Sequence, residues 1–265
     1  MKQTLSAQEL YLHKQKKYRC YIRLARILIL IAFLLLWEIT ADLGIIDSFI
    51  FSSPSRVIHC FVTMIAEQQL LMHIGITLFE TIASFLLVLL FTLLITTCLW
   101  LNDKVSKTLE PYLVVLNSLP KSALAPLLIV WLGGNYKTII LTGMSVAIFG
   151  SILSLYTAFT ETDPEKIKLI FTLGGTKKDV LFKVMIPGNI PSLLSIMKVN
   201  IGLCLVGVII GEFIAARVGL GYLIIYGSQV FKLTWVIMSI IVLCIIAMVL
   251  YQLIQSLERW YLKRY

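Results

Sequence analysis

The 265 residues are 59% hydrophobic and 14% charged, with a mean hydropathy of +0.92, whereas soluble domains carry about 25% charged residues. That composition excludes a soluble globular domain and indicates an integral membrane protein. The formal net charge of +9 would point to nucleic acid in a soluble chain, but here the charges fall between apolar runs and are a topology signal instead. The five cysteines show no CxxC or Cys/His spacing, so neither a disulfide framework nor a metal site is indicated.

Residues 1–23 form a basic, polar tail, and residues 24–265 a transmembrane domain. A bilayer core about 30 Å thick takes about 20 helical residues. On that measure the fold class is all-α, a polytopic helical bundle, with six spans predicted at 24–43, 74–101, 112–132, 138–159, 193–215 and 234–257. The run Ile27 to Trp37 has the length of a signal-peptide core. The long tail before it and the poor small-residue site at Thr40-Ala41-Asp42-Leu43 favour an uncleaved anchor. The third span is the least regular: Pro120 and Pro126 each remove a backbone donor, and Lys121 between them is read as marking where that span emerges into water. Intramembrane acids are costly and so are functional candidates. Glu38, Asp42 and Glu212 sit near outer span ends, while Glu80, about 10 Å deep by helical rise from His73, is expected to face the pathway or to pair with Lys198. Pro120, Pro126, Glu80 and Glu212 are the pathway candidates.

Orientation follows from Lys and Arg in the short flanking segments. With the N-terminus inside, 17 of these residues lie on the cytoplasmic side, in the tail, the 101–111 and 160–192 loops and the C-terminal segment. The opposite side receives 4, Arg56, Lys137, Arg217 and Lys232. Both termini are therefore expected to be cytoplasmic. The first residues, Met1 to about Lys17, are polar enough for a disordered or interfacial segment.

The 160–192 loop carries its own punctuation. Asp163 is placed to cap a helix beginning at Pro164, with Glu165 in the first turn. Ile167, Ile170 and Phe171 give that helix an apolar side, and Gly174-Gly175 provides the left-handed stop. Thr176, with Asp179 three residues on, is placed to cap a second helix bearing Val180, Leu181, Val184 and Met185, closed by Pro187. Two capped amphipathic helices with a rigid break between them need a partner to cover their apolar sides, either headgroups or another protein.

This loop resembles the cytoplasmic loop of the membrane subunits of type I ABC importers, in which a glycine is followed ten residues later by Ile-x-Leu-Pro. With Gly174 as that glycine, Val184, Met185, Ile186 and Pro187 fill the second half, while Lys168, Leu169 and Ile170 stand where the family has Glu-Ala-Ala. Leu173-Gly174-Gly175-Thr176 is similar to the family's L-G-A-S. Pro120 to Leu127 with Trp131-Leu132-Gly133, Gly211-Glu212 with Gly219-Leu220-Gly221, and Ser53-Pro54-Ser55 resemble the nitrate, sulfonate, taurine and thiamine-precursor branch. Glu80 departs from that branch, which usually has arginine there. The resemblance implies a permease subunit of the bacterial plasma membrane, working in a dimer, here a homodimer, by alternating access. It also implies a cytosolic ATP-binding-cassette ATPase beneath and an extracytoplasmic solute-binding protein above. Phe171, Leu173, Gly174, Gly175, Thr176, Val184 and Pro187 would couple to the ATPase.

The alternative is a secondary transporter or channel not coupled to ATP, which would show paired broken helices in corresponding halves or a proton-relay array. An enzyme is disfavoured. The three histidines have no metal spacing, no G-x-S-x-G or H-E-x-x-H is present, and Gly174 to Lys177 is no phosphate-binding loop. No cofactor is expected, and ATP hydrolysis is assigned to a separate subunit.

Overall fold

The computed structural model describes residues 7–67 and 69–264, with side chains from Lys14 to Lys263; Met1–Ser6 of the polar tail lie outside the described residues. The order of elements is α1 (Ala7–Asp42), α2 (Pro54–Ala66), α3 (Gln69–Leu101), α4 (Asp103–Ser118), α5 (Lys121–Leu132), α6 (Tyr136–Thr160), α7 (Pro164–Thr172), α8 (Lys177–Val180), a π-helical turn (Leu181–Met185), the short α9 (Ile186–Gly188), α10 (Ile190–Ala215), α11 (Leu220–Gln229) and α12 (Leu233–Arg264). Among the described residues, five helices are long and apolar enough to cross a membrane, or six if α4 and α5 count as one bent span.

The tail from Ala7 onward is not separate from the first span but continuous with it in α1. This helix exposes nearly its whole apolar stretch from Ile27 to Leu36. It is tied to the bundle through Glu38, whose carboxylate accepts hydrogen bonds from the Ser55 amide at 3.0 Å and the Ser55 hydroxyl at 2.6 Å. Ser55 lies in the first turn of α2, so Glu38 supplies the cap that Ser53 does not.

The third predicted span, 112–132, is corrected. Leu119 is extended (φ −62°, ψ 142°) because the following Pro120 disfavours the helical conformation at the residue before it. The helix breaks there, and α4 and α5 meet at a 96° bend. Pro111 and Pro126, by contrast, are carried inside α4 and α5.

α3, α6 and α10 form the centre, with α4 and α5 against α6 and α10 on one flank and α2, α11 and α12 on the other. α6 and α10 run antiparallel and touch backbone to backbone. A Cβ on Gly207 would lie 2.8 Å from the Gly143 Cα, and one on Gly211 would lie 3.3 Å from the Ile139 Cα. Small residues are what permit such an approach in a membrane bundle, where packing replaces the hydrophobic drive. Gly207 and Gly211 are thus consumed inside the chain, while Gly202 has open space around it. The end of the bundle that bears α7 to α9 is called the loop end below, and the end bearing the α10–α11 turn the far end.

Candidate functional site

At the loop end, local chemistry builds a rigid element. The Asp163 side chain accepts from the Glu165 amide at 2.9 Å and caps α7. The helix closes in a Schellman motif, with the Gly175 amide donating to the Ile170 carbonyl (2.9 Å) and the Gly174 amide to the Phe171 carbonyl (3.0 Å). Gly174 holds φ +83°, and a Cβ on Gly175 would strike the Ile170 side chain, so both glycines are required for different reasons. Thr176 and Asp179 then form a reciprocal capping box at the start of α8. The Asp179 carboxylate accepts from the Thr176 amide and hydroxyl and pairs with Lys183, which together hold its pKa well below the usual aspartate range.

The loop has two unlike sides. Val180, Leu181 and Met185 are buried with Leu155 and Phe159 of α6, and Val184 packs against the same cluster. On the other side Leu169, Phe171, Leu173 and Phe182 are exposed, Leu173 at 75% and Phe182 at 66%. Of the coupling candidates, Phe171, Leu173, Gly174, Thr176 and Pro187 are on the surface, Gly175 is half-buried, and Val184 faces inward. Pro187 does not close the segment: α8, the π-helical turn and α9 continue almost directly into α10, interrupted at Asn189 (φ −102°, ψ 7°). Leu169 and Phe182 were missed because neither occupies a cap or break position. Their exposure is what marks them.

At the far end the start of α11 is capped by side chains from within the bundle, although Glu80 Oε2 beside them is buried without a hydrogen-bond partner. α11 begins at Gly219, and its first amides find side chains from two other helices. The Gly219 amide donates to His73 Nδ1 (2.8 Å), the Leu220 amide to Thr77 Oγ1 (2.9 Å) and the Gly221 amide to Glu212 Oε2 (2.5 Å). Thr77 in turn donates to Glu212 Oε1 (2.6 Å). A carboxylate at a helix N-terminus is favourable to both the dipole and the orphan amides. Gly219 sits at φ +127°, and a Cβ there would overlap the Glu212 carboxylate; one on Gly221 would also come within 2.8 Å of that side chain. The Gly-Leu-Gly segment is therefore shaped around Glu212.

Glu212 lies near the outer end of α10, as its sequence position implies, but is turned into the bundle: it is 1% exposed, as is Glu80, which lies beside it. Glu80 does not meet Lys198. Lys198 Nζ instead donates to both carboxylate oxygens of Glu258, at 2.8 and 2.7 Å, because both face the α10–α12 seam, whereas Glu80 lies far along α3 toward the opposite end. Lys121 is half-buried. It opens α5 at the 96° bend and, with Asn117, Ser151 and Asn200, lines a cavity of about 280 Å³ between α4, α5, α6 and α10. Pro120 forms the bend itself, and Pro126 is exposed within α5.

A multi-pass helical bundle with a capped loop element at one end and a broken helix along its flank is the architecture of a membrane transport subunit. The model of the family described as binding-protein-dependent transport system inner membrane component matches residues 91–265, and the chain belongs to that family: it is an ABC importer permease subunit of the inner membrane. It is 28% identical to a probable ABC transporter permease protein of Haemophilus influenzae over 87% of this chain and 94% of that one. The formylaminopyrimidine transport permease protein ThiX of Halalkalibacterium halodurans is 24% identical, with 77% of this chain and 81% of that protein covered. The fold is also that of a chain in the inward-facing MetNI methionine ABC transporter, with a TM-score of 0.64 at 18% identity, covering 73% of this chain and 96% of that one.

Proposed function

We propose that this permease moves a small organic solute or anion of the sulfonate, nitrate or thiamine-precursor kind, paired with a second copy of itself, above a cytosolic ATPase and below an extracytoplasmic solute-binding protein. The loop end faces the cytosol in this arrangement, and the start of α1 and the end of α12 lie with it, in accord with the excess of Lys and Arg on that side.

The observation that carries the reading is the two-sided loop. Its inner side is locked to α6 by Val180, Leu181 and Met185, and its outer side presents Leu169, Phe171, Leu173 and Phe182 to a partner. Burying each such side chain contributes about 1.5–3 kcal/mol. Because the loop is capped, glycine-stopped, packed on α6 and joined to α10 across the single break at Asn189, a push on α7 and α8 moves the central helices as a body. A solute driven by a partner ATPase needs such a link; a channel or secondary transporter does not.

The relatives support a range of solutes without selecting one: alongside ThiX stand a putative aliphatic sulfonates permease, SsuC, of Bacillus subtilis, 23% identical, and the taurine permease TauC of Escherichia coli, 25% identical. The test is co-purification with the co-expressed cognate ATPase. Wild type should retain the ATPase and Phe171→Asp should lose it while still inserting. An ATPase that never associates with wild type overturns the reading.

A further inference from the structure

The cavity at the α4–α5 bend lies well along the bundle from its loop end. From Ser151 to the loop end of α6 at Thr160 is about 13 Å of helix, and from Asn200 to the loop end of α10 at Ile190 about 15 Å, in helices of 25 and 26 residues. An ammonium group at that depth is costly and calls for a partner. Lys121 is half-buried, and its hydrogen bond to Asn117 Oδ1 is 3.5 Å long, at the outer limit for such a bond. Among the described residues the ion pairs are Lys183–Asp179 and Lys198–Glu258; Lys121 faces no carboxylate. The contrast with Lys198 is informative, because that second intramembrane lysine is held by both oxygens of its glutamate.

The opposite wall is polar as well. Asn200 is 5% exposed and lines the cavity; its Oδ1 accepts from the Ser151 hydroxyl at 2.8 Å. Among the described residues that is the one hydrogen bond made by an amide able to make several. Lys121 is also the first residue of the twelve-residue α5, which puts the positive end of that helix at the same opening. Cation, helix terminus and unspent amide converge on one volume that no side chain fills.

We propose that this cavity binds the anionic group of the transported solute, with Lys121 Nζ donating to an oxyanion and Asn200 hydrogen-bonding to it from the opposite wall. The proposal rests on the importer reading and deepens it by assigning the charge of the solute. Asn117 acts as a positioning residue: its Oδ1 lies 3.5 Å from the Lys121 ammonium, and its approach to α6 depends on Gly150, where a Cβ would lie 3.2 Å from Asn117 Oδ1. The flexible lysine stem lets the charge follow the solute as the two sides of the pathway open and close. Broken helices lining the solute path of a transporter follow the same physics, since backbone freed at the break is available to a ligand.

The test uses the full chain purified with its ATPase in neutral-detergent micelles free of phospholipid, and trifluoromethanesulfonate as probe, followed by fluorine NMR line broadening. Wild type is expected to broaden the probe signal. Lys121→Met should weaken binding at least about tenfold, while Lys121→Arg and Lys137→Met, the latter an exposed lysine at the far end, should stay within about threefold. Asn200→Ala is a second variant that leaves the cation in place, and it too should weaken binding. Continued co-purification of the ATPase with each variant reports that it is folded. No broadening by wild type, or equal broadening by Lys121→Met, overturns the proposal. So does loss of the signal on adding phosphatidylglycerol in amounts that leave the ATPase bound, which would assign the site to a lipid phosphate. Failure of the ATPase to associate with wild type would instead sink the importer reading, whatever the probe does.

Discussion

The two ends of the bundle solve the same problem, how to finish short helices at the limit of a membrane domain, in opposite ways. At the far end the amides of α11 are capped by the half-buried His73 and the buried Thr77 and Glu212, brought from α3 and α10. At the loop end α7 and α8 are capped by their own neighbours, Asp163, Thr176 and Asp179, and large apolar side chains remain exposed. The first end is finished within the chain. The second is finished locally but left open to another surface. A cap made of distant residues ties helices together; caps made of near ones keep an element rigid while leaving its outer side free for a partner.

The sharpest break of this contrast is Glu212→Ala. It strands the Gly221 amide and the Thr77 hydroxyl in a buried site, and the cost is expected to be on the order of 3–5 kcal/mol, seen as a large drop in thermal midpoint or in folded yield. Gly219→Ala attacks the same cap from the other partner. With φ +127° and the Glu212 carboxylate where the Cβ must go, a loss of about 2–3 kcal/mol is expected in the same assay. Phe171→Asp should invert the pattern: folding changes by less than about 0.5 kcal/mol because the side chain is exposed, yet ATPase retention falls at least about tenfold. A far-end variant that released the ATPase while leaving stability intact would erase the distinction.

The smallest effect concerns acid. The pKa of Asp179 is lowered in the folded chain, so the stabilisation its cap supplies is fully present above the unfolded value of 3.8 and is lost as the pH falls below it toward the folded value. Amide exchange across 177–180 should rise in that acidic range, while the Leu220 amide, held by the buried and non-titrating Thr77 hydroxyl, should not follow it.

What was legible in the sequence divides along the same line. Asp163-Pro164, Gly174-Gly175 and the Thr176/Asp179 spacing were readable because each acts on residues within one or two turns, and the structure places them as a cap, a left-handed stop and a capping box. Long apolar runs gave α3, α6, α10 and α12 for the same reason, since length against bilayer thickness is a local count. Glu212 was misplaced because its partner Thr77 lies 135 positions away, and no local pattern announces that a carboxylate near a span end turns back to cap another helix. α2 and α11 escaped prediction because each is too short to span and carries no periodic charge pattern. The bend at Pro120 was half legible. The prolines flagged an irregular span, but only the extended Leu119 shows that it is a break and that Lys121 begins a new helix at the cavity.

The most direct measurement is hydrogen exchange on the permease alone and in complex with its ATPase. Amides between 164 and 184 are expected to gain protection on complex formation, with those of 219–223 unchanged because their bonds are already made inside the chain. Protection that leaves the loop untouched, or that appears at the far end instead, would contradict the assignment of the open end to the ATPase.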